Sequence, residues 1–330
     1  MKKIINQPDQ VVGDMLNGLA YAYDSLVRRV PDTTVIARTL DPSGKVGLVS
    51  GGGSGHEPSH AGFVGKGMLS VAVAGQVFTS PTPDQILEGI KAADEGQGVF
   101  LVIKNYTGDV MNFDMAKELA ELEDIEVDSI VVDDDIAVED STFSAGRRGV
   151  AGTVFMHKIL GAAAESGASL KEIKALAEQV NNNLYSIGLA LSPATNPEVG
   201  KPGFELEDNE IEFGIGIHGE PGYSRENLKP SKELAEEFVS KLKKEANWSS
   251  RDKFAVMVNG MGATPLMEQF VFMNDIRALL DDGEDLDLVY RKVGDYMTAI
   301  DMAGVSLTLL KIEDDKWIDY LNAPVEVIGW

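Results

Sequence analysis

The chain has 330 residues, of which 44% are hydrophobic and 25% charged, an ordinary composition for a globular protein with room for two domains. Its 53 acidic and 29 basic residues leave a formal net charge of −24, which argues against nucleic acid and anionic membrane surfaces as partners. Because there is no cysteine, disulfide bonds, thiolate nucleophiles and cysteine-ligated metals are excluded.

The chain carries no pattern that is typical of export or of membrane insertion. Its start contains two lysines but turns polar at once, and no later apolar run approaches the ~20 residues that span a bilayer. A fold without disulfides has no need of an oxidising compartment. We therefore expect a cytoplasmic protein.

The first half alternates strand-like and helical stretches. Apolar residues at helical spacing predict an amphipathic N-terminal helix between Val12 and Leu26. Short β-branched runs predict five strands, at Thr33–Ala37, Lys45–Ser50, Leu69–Ala74, Val99–Ile103 and Val127–Val132. Helical stretches lie between them near Pro83–Glu95 and Met111–Leu122. This alternation predicts an α/β sheet with binding loops at the carboxyl ends of its strands.

The middle of the chain is helical, and the second half resumes the alternation. A helix is predicted from about Val150 to Glu165, and a capping box at Ser169-x-x-Glu172 predicts another through Val180. Further strands are predicted at Ile187–Leu191, Glu210–Ile217, Phe254–Val258, Leu288–Val293 and Leu307–Ile312. One helix is expected after an N-cap at Ser231 and another to end near Leu280. We predict two α/β domains, 1–185 and 186–330, each a sheet flanked by helices.

The strand predicted at Lys45–Ser50 runs into Gly51-Gly52-Gly53-Ser54-Gly55-His56-Glu57-Pro58. Consecutive glycines offer free backbone N–H groups, so a phosphate cradle is one interpretation. A nucleotide-binding P-loop needs a lysine and a hydroxyl after the glycines, whereas His56 and Glu57 stand there. A small polar ligand bound by backbone amides, with His56 facing it, fits these residues better, and a tight structural turn is the alternative.

A second polar segment, Lys104–Asp109, closes the apolar run Val99–Ile103. If this strand is parallel to the one before the glycines, both segments lie at the same edge of the sheet. Asp109 could then accept a proton from a substrate hydroxyl, and Lys104 could donate to an oxygen. The alternative is that Asp109 caps a helix over Met111–Leu122.

The stretch Phe213–Gly222 contains a short apolar run that ends at His218. The bare backbone around this imidazole would let a small molecule approach it closely. Gly214-x-Gly216-x-x-Gly219 matches the dinucleotide fingerprint, but Pro221 and Gly222 disrupt the helix that the fingerprint requires. A hydrogen-bonded structural histidine and a reactive one remain as alternatives.

The other histidines and the charge clusters have structural interpretations. His56 and His60 match the zinc motif H-E-x-x-H, but the proline between them prevents the continuous helix that the motif needs, so no metal site is expected. His60 and His157 are interpreted as structural. Arg147-Arg148 is interpreted as a helix anchor or a contact for an acidic or phosphorylated partner. Asp133-Asp134-Asp135 could bind a hard cation, but these residues are interpreted as a charged solvated loop.

Together these segments resemble the K subunits of dihydroxyacetone kinases. The matching stretches are Ser50–Pro58, Phe78–Pro83, Ile103–Asp109, Gly146–Ala151, Phe213–Gly222 and Gly262–Pro265. They follow one another in the expected order over nearly the whole chain, and several are long and chemically unusual. The resemblance is therefore highly specific.

The resemblance implies a covalent site. In this family a histidine at the position of His218 adds through a ring nitrogen to the ketone carbon of dihydroxyacetone, giving a hemiaminal. Glycerol has no carbonyl and is rejected for that reason. The resemblance makes Asp109 the base for the attacking hydroxyl and His56 a second acid–base or hydrogen-bonding group. The expected substrate-binding residues are Gly53, Ser54, Gly55, His56, Lys104 and Asp109.

The resemblance also implies partners. ADP and Mg²⁺ are expected on a separate helical L subunit, recharged by a phosphoprotein of the phosphoenolpyruvate phosphotransferase system, with no cofactor in this chain. A homodimer is expected. A paralogue in the family binds dihydroxyacetone but acts as a transcriptional coactivator, and its equivalents of Asn105–Asp109 and Gly146–Arg148 are altered. This chain keeps both segments, which favours the kinase subunit.

Overall fold

The computed structural model describes residues 2–39, 44–137 and 144–330, which form two six-stranded sheets with helices around them. The first sheet consists of β1 (Val27–Arg29), β2 (Val35–Arg38), β3 (Gly47–Ser54), β4 (Val71–Val77), β5 (Val99–Lys104) and β6 (Val127–Val132), in the order β1-β2-β4-β3-β5-β6. Strands β4, β3, β5 and β6 are parallel, as the alternation predicts, and β1 and β2 extend the sheet in antiparallel pairing. The interior strand β5 is buried along its whole length, which is typical of a parallel strand covered on both faces.

The second sheet is mostly antiparallel. It consists of β7 (Leu184–Ala190), β8 (Glu210–Phe213), β9 (Ser224–Asn227), β10 (Lys253–Gly260), β11 (Asp287–Gly294) and β12 (Gly304–Lys311), in the order β11-β10-β12-β7-β8-β9. Only the pair of β10 and β11 is parallel among the described strands of this sheet. In the described part of this half, helices follow β9, β10 and β12, whereas β7, β8 and β9 follow one another directly, as do β11 and β12. The prediction of sheets flanked by helices is confirmed, but the strand directions differ between the two sheets.

Eight α-helices surround the sheets in the described part of the chain. They are α1 (Val11–Ala22), α2 (Pro83–Ala93), α3 (Thr107–Glu121), α4 (Gly152–Glu165), α5 (Leu170–Asn181), α6 (Ser231–Ala246), α7 (Leu266–Arg277) and α8 (Lys316–Asn322). Helix α5 begins with the predicted capping box between Ser169 and Glu172. None of the helices in residues 2–39, 44–137 and 144–330 is long and apolar enough to cross a membrane.

Helix α4 lies between the two halves of the molecule. It is buried on nearly every side, as expected of a helix that is apolar all round. It contacts β3 and β5 of the first sheet, β7 and β12 of the second, and α8 near the C-terminus. One hydrophobic cluster accordingly joins residues of both halves, among them Phe100, Met257 and Trp317.

Some predicted boundaries differ from the structure. Ser231 is the first residue of α6 and not its cap, because Pro230 holds the N-cap position and no side chain caps the helix. The strand predicted at Glu210–Ile217 ends at Phe213, and β1, β9 and α8 were not predicted. The second sheet begins with β7 at Leu184, while the division of the chain into domains 1–185 and 186–330 stays a prediction.

Candidate active site

The glycine segment is the end of strand β3 rather than a loop. Residues Gly51–Ser54 continue the parallel pairing with β4, and the strand ends immediately before Gly55. The close approach of β4 explains why side chains are missing here. A Cβ at Gly51 would lie 2.3 Å from the carbonyl oxygen of Val73, and one at Gly53 would lie 2.5 Å from the backbone nitrogen of Thr79. The bare backbone is thus a packing requirement as well as a feature of the candidate site.

Lys104 and Asp109 meet the glycine segment at the same edge of the sheet. Strands β3 and β5 are parallel, so both polar segments follow strand ends on one side, as predicted. The Lys104 Nζ lies 3.4 Å from the Asp109 Oδ2, and both side chains are buried. A Cβ at Gly52 would lie 2.6 Å from the Lys104 Nζ, so the ion pair faces bare backbone.

The alternative interpretation of Asp109 as a helix cap does not describe the structure. Helix α3 begins at Thr107, four residues earlier than predicted, and its N-cap position is Tyr106. Asp109 stands in the first turn, where a carboxylate also interacts favourably with the helix dipole. Its carboxylate is directed to Lys104.

His56 links the first half of the molecule to the second. Its Nδ1 lies 2.7 Å from the carbonyl oxygen of Thr298, so the ring donates its Nδ1–H there and presents an unprotonated Nε2. The backbone is fixed in the same way, since the N–H of Ile300 donates to the carbonyl of Gly55 over 2.7 Å. Burial first, and then the nearby charges of His218 and Lys104, hold the pKa of His56 well below its usual range. His56 is therefore a neutral hydrogen-bond acceptor at its Nε2.

His218 lies opposite His56, in a turn five residues after the end of β8. The two Nε2 atoms are 3.0 Å apart. The Nδ1 of His218 faces the Glu220 Oε1 at 3.1 Å, and its backbone N–H donates to the Glu220 Oε2 over 2.8 Å. No helix follows Gly219, so the dinucleotide interpretation fails in the structure as well.

Aromatic rings form the walls around the two imidazoles. Phe78 stacks on His56 with 5.3 Å between ring centroids, and its edge contact with His218 has the same spacing. The Tyr106 ring meets His218 at right angles, 4.5 Å between centroids. These contacts fix the orientation of both rings. Although these rings surround it, His218 keeps 17% of its side-chain surface exposed, so a small molecule can reach it.

Among the charged residues near the site, Asp134, Asp135 and Arg148 are buried, contrary to the prediction of a solvated loop, while Asp133 is exposed as predicted. Arg148 is fully buried and its Nη2 lies 2.7 Å from the Asp135 Oδ2. Asp134 accepts from the backbone N–H groups of Val150 and Gly152 at the start of α4. Arg148 is thus neither a helix anchor nor a surface contact. Arg147 is partly exposed, and it pairs with Glu245.

His60 and His157 form a separate buried pair. The Nδ1 of His60 lies 2.9 Å from the Nε2 of His157, and both rings are fully enclosed. Burial is the main cause that lowers the pKa of His157 to about 3. Within residues 2–39, 44–137 and 144–330 no group of three histidine or acidic side chains is placed to hold a metal ion. The segment from His56 to His60 is irregular and not the helix that the zinc motif needs.

The predicted site residues come together in two groups. His56 and His218 are in direct contact, and Lys104 and Asp109 form the ion pair beside the glycine backbone. The Ser54 hydroxyl donates to the carbonyl of Gly75, and the Gly55 N–H donates to the carboxylate of Glu57. Because the Ser54 hydroxyl and the Gly55 N–H are already hydrogen-bonded within the protein, a ligand could meet these two residues only through the rest of their backbone.

Sequence reasoning missed the partners of His218. Glu220, Tyr106 and Phe78 all lie within the matched segments, but no role was assigned to them. The signal for Glu220 is its spacing, since an acidic residue two positions from a histidine in a turn can fold back onto the ring.

With this geometry in place, known proteins offer a direct comparison. The model of the Dak1 domain matches residues 17–329. The chain belongs to the Dak1 family. It is 64% identical to the PTS-dependent dihydroxyacetone kinase, dihydroxyacetone-binding subunit DhaK, of Lactococcus lactis, covering 100% of this chain and 99% of the relative.

Two further relatives show the range of this family. The DhaKLM operon coactivator DhaQ of L. lactis is 43% identical over 99% of this chain and 100% of its own. The crystal structure of the dihydroxyacetone kinase of C. freundii superposes with a TM-score of 0.91 and 34% identity, covering 100% of this chain and 60% of that one. The two-sheet architecture is therefore the one found in the solved kinase.

Proposed function

We propose that this chain is the dihydroxyacetone-binding subunit of a dihydroxyacetone kinase that depends on the phosphotransferase system. The observation that carries the proposal is the contact of His218 with His56, at 3.0 Å between Nε2 atoms, beside a wall of bare glycine backbone. Full-length identity of 64% to a DhaK subunit supports the same assignment.

His218 is the covalent residue in this proposal. A neutral imidazole carries the lone pair that an addition to a ketone carbon needs, and His56 stands within reach to move the accompanying proton. The aromatic walls formed by Phe78 and Tyr106 hold the attacking ring in one orientation. Ketones and aldehydes of three or four carbons match this chemistry, whereas glycerol lacks the electrophilic carbon.

Phosphoryl transfer is assigned to the Lys104–Asp109 pair and to a partner. Asp109 accepts the proton of the terminal hydroxyl as that oxygen attacks phosphorus, and Lys104 holds the hydroxyl oxygen. We infer that the phosphoryl donor, with its ADP and Mg²⁺, is held by an L subunit and recharged by a phosphotransferase-system protein. Gly53 and the backbone of Ser54 and Gly55 complete the substrate wall. We also infer that the subunit acts as a homodimer.

A second function, that of a coactivator that binds the ketone without phosphorylating it, is favoured by the 43% identity to DhaQ. The kinase subunit is the stronger proposal because the identity to DhaK is higher and because Lys104 and Asp109 form a buried ion pair beside the glycine backbone. The two functions differ in one measurable step, which is transfer of the phosphoryl group.

Native mass spectrometry with dihydroxyacetone, followed by a phosphorylation assay with the L subunit, tests the proposal. We expect one adduct per chain, its loss in His218→Ala, and turnover only when the L subunit is present. His157→Gln is the matched control, because this imidazole contacts His60 rather than the site, and it should keep the adduct. An adduct without phosphoryl transfer from any L subunit would support the coactivator, and no adduct would refute both functions.

A further inference from the structure

Glu220 is a buried carboxylate bound to His218 at two points. Its side chain is 2% exposed, its Oε1 lies 3.1 Å from the Nδ1 of His218, and its Oε2 accepts the backbone N–H of the same residue over 2.8 Å. An ionised carboxylate can only accept hydrogen bonds. The proton of the His218 ring must therefore stand on Nδ1, which leaves Nε2 for other partners.

The charge around Glu220 keeps it ionised. A Cβ at Gly216 would lie 2.1 Å from the Glu220 Oε2 and 2.8 Å from the Arg148 Nη1. The carboxylate and the guanidinium therefore both lie next to the backbone of Gly216, which has no side chain to separate them. The Arg148 Nη1 has no hydrogen-bond partner among the described residues, whereas its other nitrogens bind Asp135 and the carbonyl of Gly214. Burial by itself would raise the pKa of Glu220, but His218 and then Arg148 lower it to about 2.

At the other end of the pair, His56 is fixed by an equivalent contact. Its Nδ1–H donates to the carbonyl of Thr298 over 2.7 Å. Three contacts therefore form a continuous chain. The Glu220 carboxylate meets the Nδ1–H of His218, the Nε2 of His218 meets the Nε2 of His56, and the Nδ1–H of His56 meets the carbonyl of Thr298. Each end thus fixes a proton on Nδ1, so the two Nε2 atoms can form a hydrogen bond across 3.0 Å only with one further proton between them, and the pair of rings then carries one positive charge.

We propose that Glu220 is a positioning residue for the covalent step: it holds the proton of His218 on Nδ1, directs Nε2 at the ketone carbon, and balances the charge of the ring after the bond forms. This inference rests on the proposed function of the site. In a catalytic triad a carboxylate orients the imidazole beside the nucleophile. Here the carboxylate of Glu220 orients an imidazole that is itself the nucleophile.

The step balances without any outside reagent. His56 takes the bridging proton, which frees the lone pair on Nε2 of His218. That lone pair forms the bond to the ketone carbon, and the π pair of the carbonyl moves to its oxygen. His56 returns the proton to this oxygen, which becomes a hydroxyl. The ring of His218 is then cationic, keeps its Nδ1–H, and lies against the Glu220 carboxylate.

Nitrogen-15 NMR of the imidazoles in the full chain tests the assignment directly, because the chain has only four histidines. We expect the wild-type His218 to show a protonated Nδ1, and Glu220→Gln to shift the ring toward the Nε2-protonated tautomer. The adduct with dihydroxyacetone, measured by native mass spectrometry, should weaken at least tenfold in this variant. Glu212→Gln is the control, since Glu212 is another buried glutamate nearby, bound to Arg225 and to the Gly222 N–H.

The outcomes separate this inference from the proposed function. If wild type forms the adduct and Glu220→Gln keeps both its affinity and its tautomer, Glu220 does not position His218, although the covalent site stands. If wild type forms no adduct, the proposed function fails and this inference with it. Should Glu220→Gln fail to fold, a wild-type His218 protonated only on Nε2 would overturn the inference, and one protonated on Nδ1 would support it.

Discussion

Replacing Asp109 by asparagine separates the two tasks assigned to its carboxylate. The Lys104 and Asp109 side chains are 0% and 4% exposed, and their charged atoms are 3.4 Å apart. At that distance and an effective dielectric constant of about 20, the attraction is about 5 kcal/mol. Removing one member of a buried pair leaves the other uncompensated, which typically destabilises a protein by about 3–5 kcal/mol. We therefore expect Asp109→Asn to lower the free energy of unfolding by a few kcal/mol.

The same substitution removes the proposed base. Loss of a general base typically slows a reaction by about 10²–10⁴-fold, so turnover with the L subunit should fall in this range. Because Asp109 does not contact His218, the adduct with dihydroxyacetone should survive. Turnover and adduct are to be measured at a temperature where the variant is fully folded, with urea unfolding as the separate measure of stability.

Two comparisons make this prediction decisive. Asp114→Asn changes an exposed carboxylate on the same helix and should alter neither stability nor turnover by a measurable amount. Lys104→Met combined with Asp109→Asn should recover part of the stability but none of the turnover, because it removes the unpaired charge and not the need for a base. A rate within twofold of wild type in Asp109→Asn would refute the base assignment, and a lost adduct would place Asp109 in ketone binding instead.

Three other predictions concern the framework of the site. Gly52→Ala should abolish turnover, since its Cβ would meet the Lys104 Nζ at 2.6 Å. Normal activity with an intact fold would show that the Lys104–Asp109 pair can move to make room. His157 by itself should lower the stability by about 1.4 kcal/mol per pH unit as pH drops from ~6.5 toward 3, because the unfolded chain takes up a proton that this buried ring does not. Urea unfolding of His157→Gln should show a shallower pH dependence, and an unchanged slope would assign the effect to other groups. Chains 1–185 and 186–330, expressed separately, should form no adduct, since His56 and His218 lie on different pieces.

The first sheet and one edge of the site were predictable from the sequence. Continuous apolar runs such as Val99–Ile103 identify central parallel strands, and parallel strands place the segments that follow them at one edge. The contact between the glycine segment and the Lys104–Asp109 pair follows from that rule alone.

The remaining contacts depend on long-range packing that local patterns do not record. The antiparallel pairing of β7 with β12 joins positions more than a hundred residues apart. Asp134 and Arg148 look like surface charges in sequence, yet each is buried because specific partners satisfy it, two backbone N–H groups for the first and Asp135 for the second. Sequence periodicity carries no information about such partners, so the burial of these charges and the role of Glu220 could be found only from the structure.

The candidate site exists only where the two halves of the chain meet. The first half of the chain supplies His56, Lys104 and Asp109, while the second half supplies His218 and the carbonyl of Thr298 that fixes the tautomer of His56. Helix α4 is buried between the sheets, so the spacing of the two imidazoles is set by packing throughout the interior rather than by either loop. A bond between His218 and a substrate that is also held by the Lys104–Asp109 pair would tie both halves together. Ligand binding should therefore stabilise the whole fold and not one domain, because it adds a connection across the interface that defines the site.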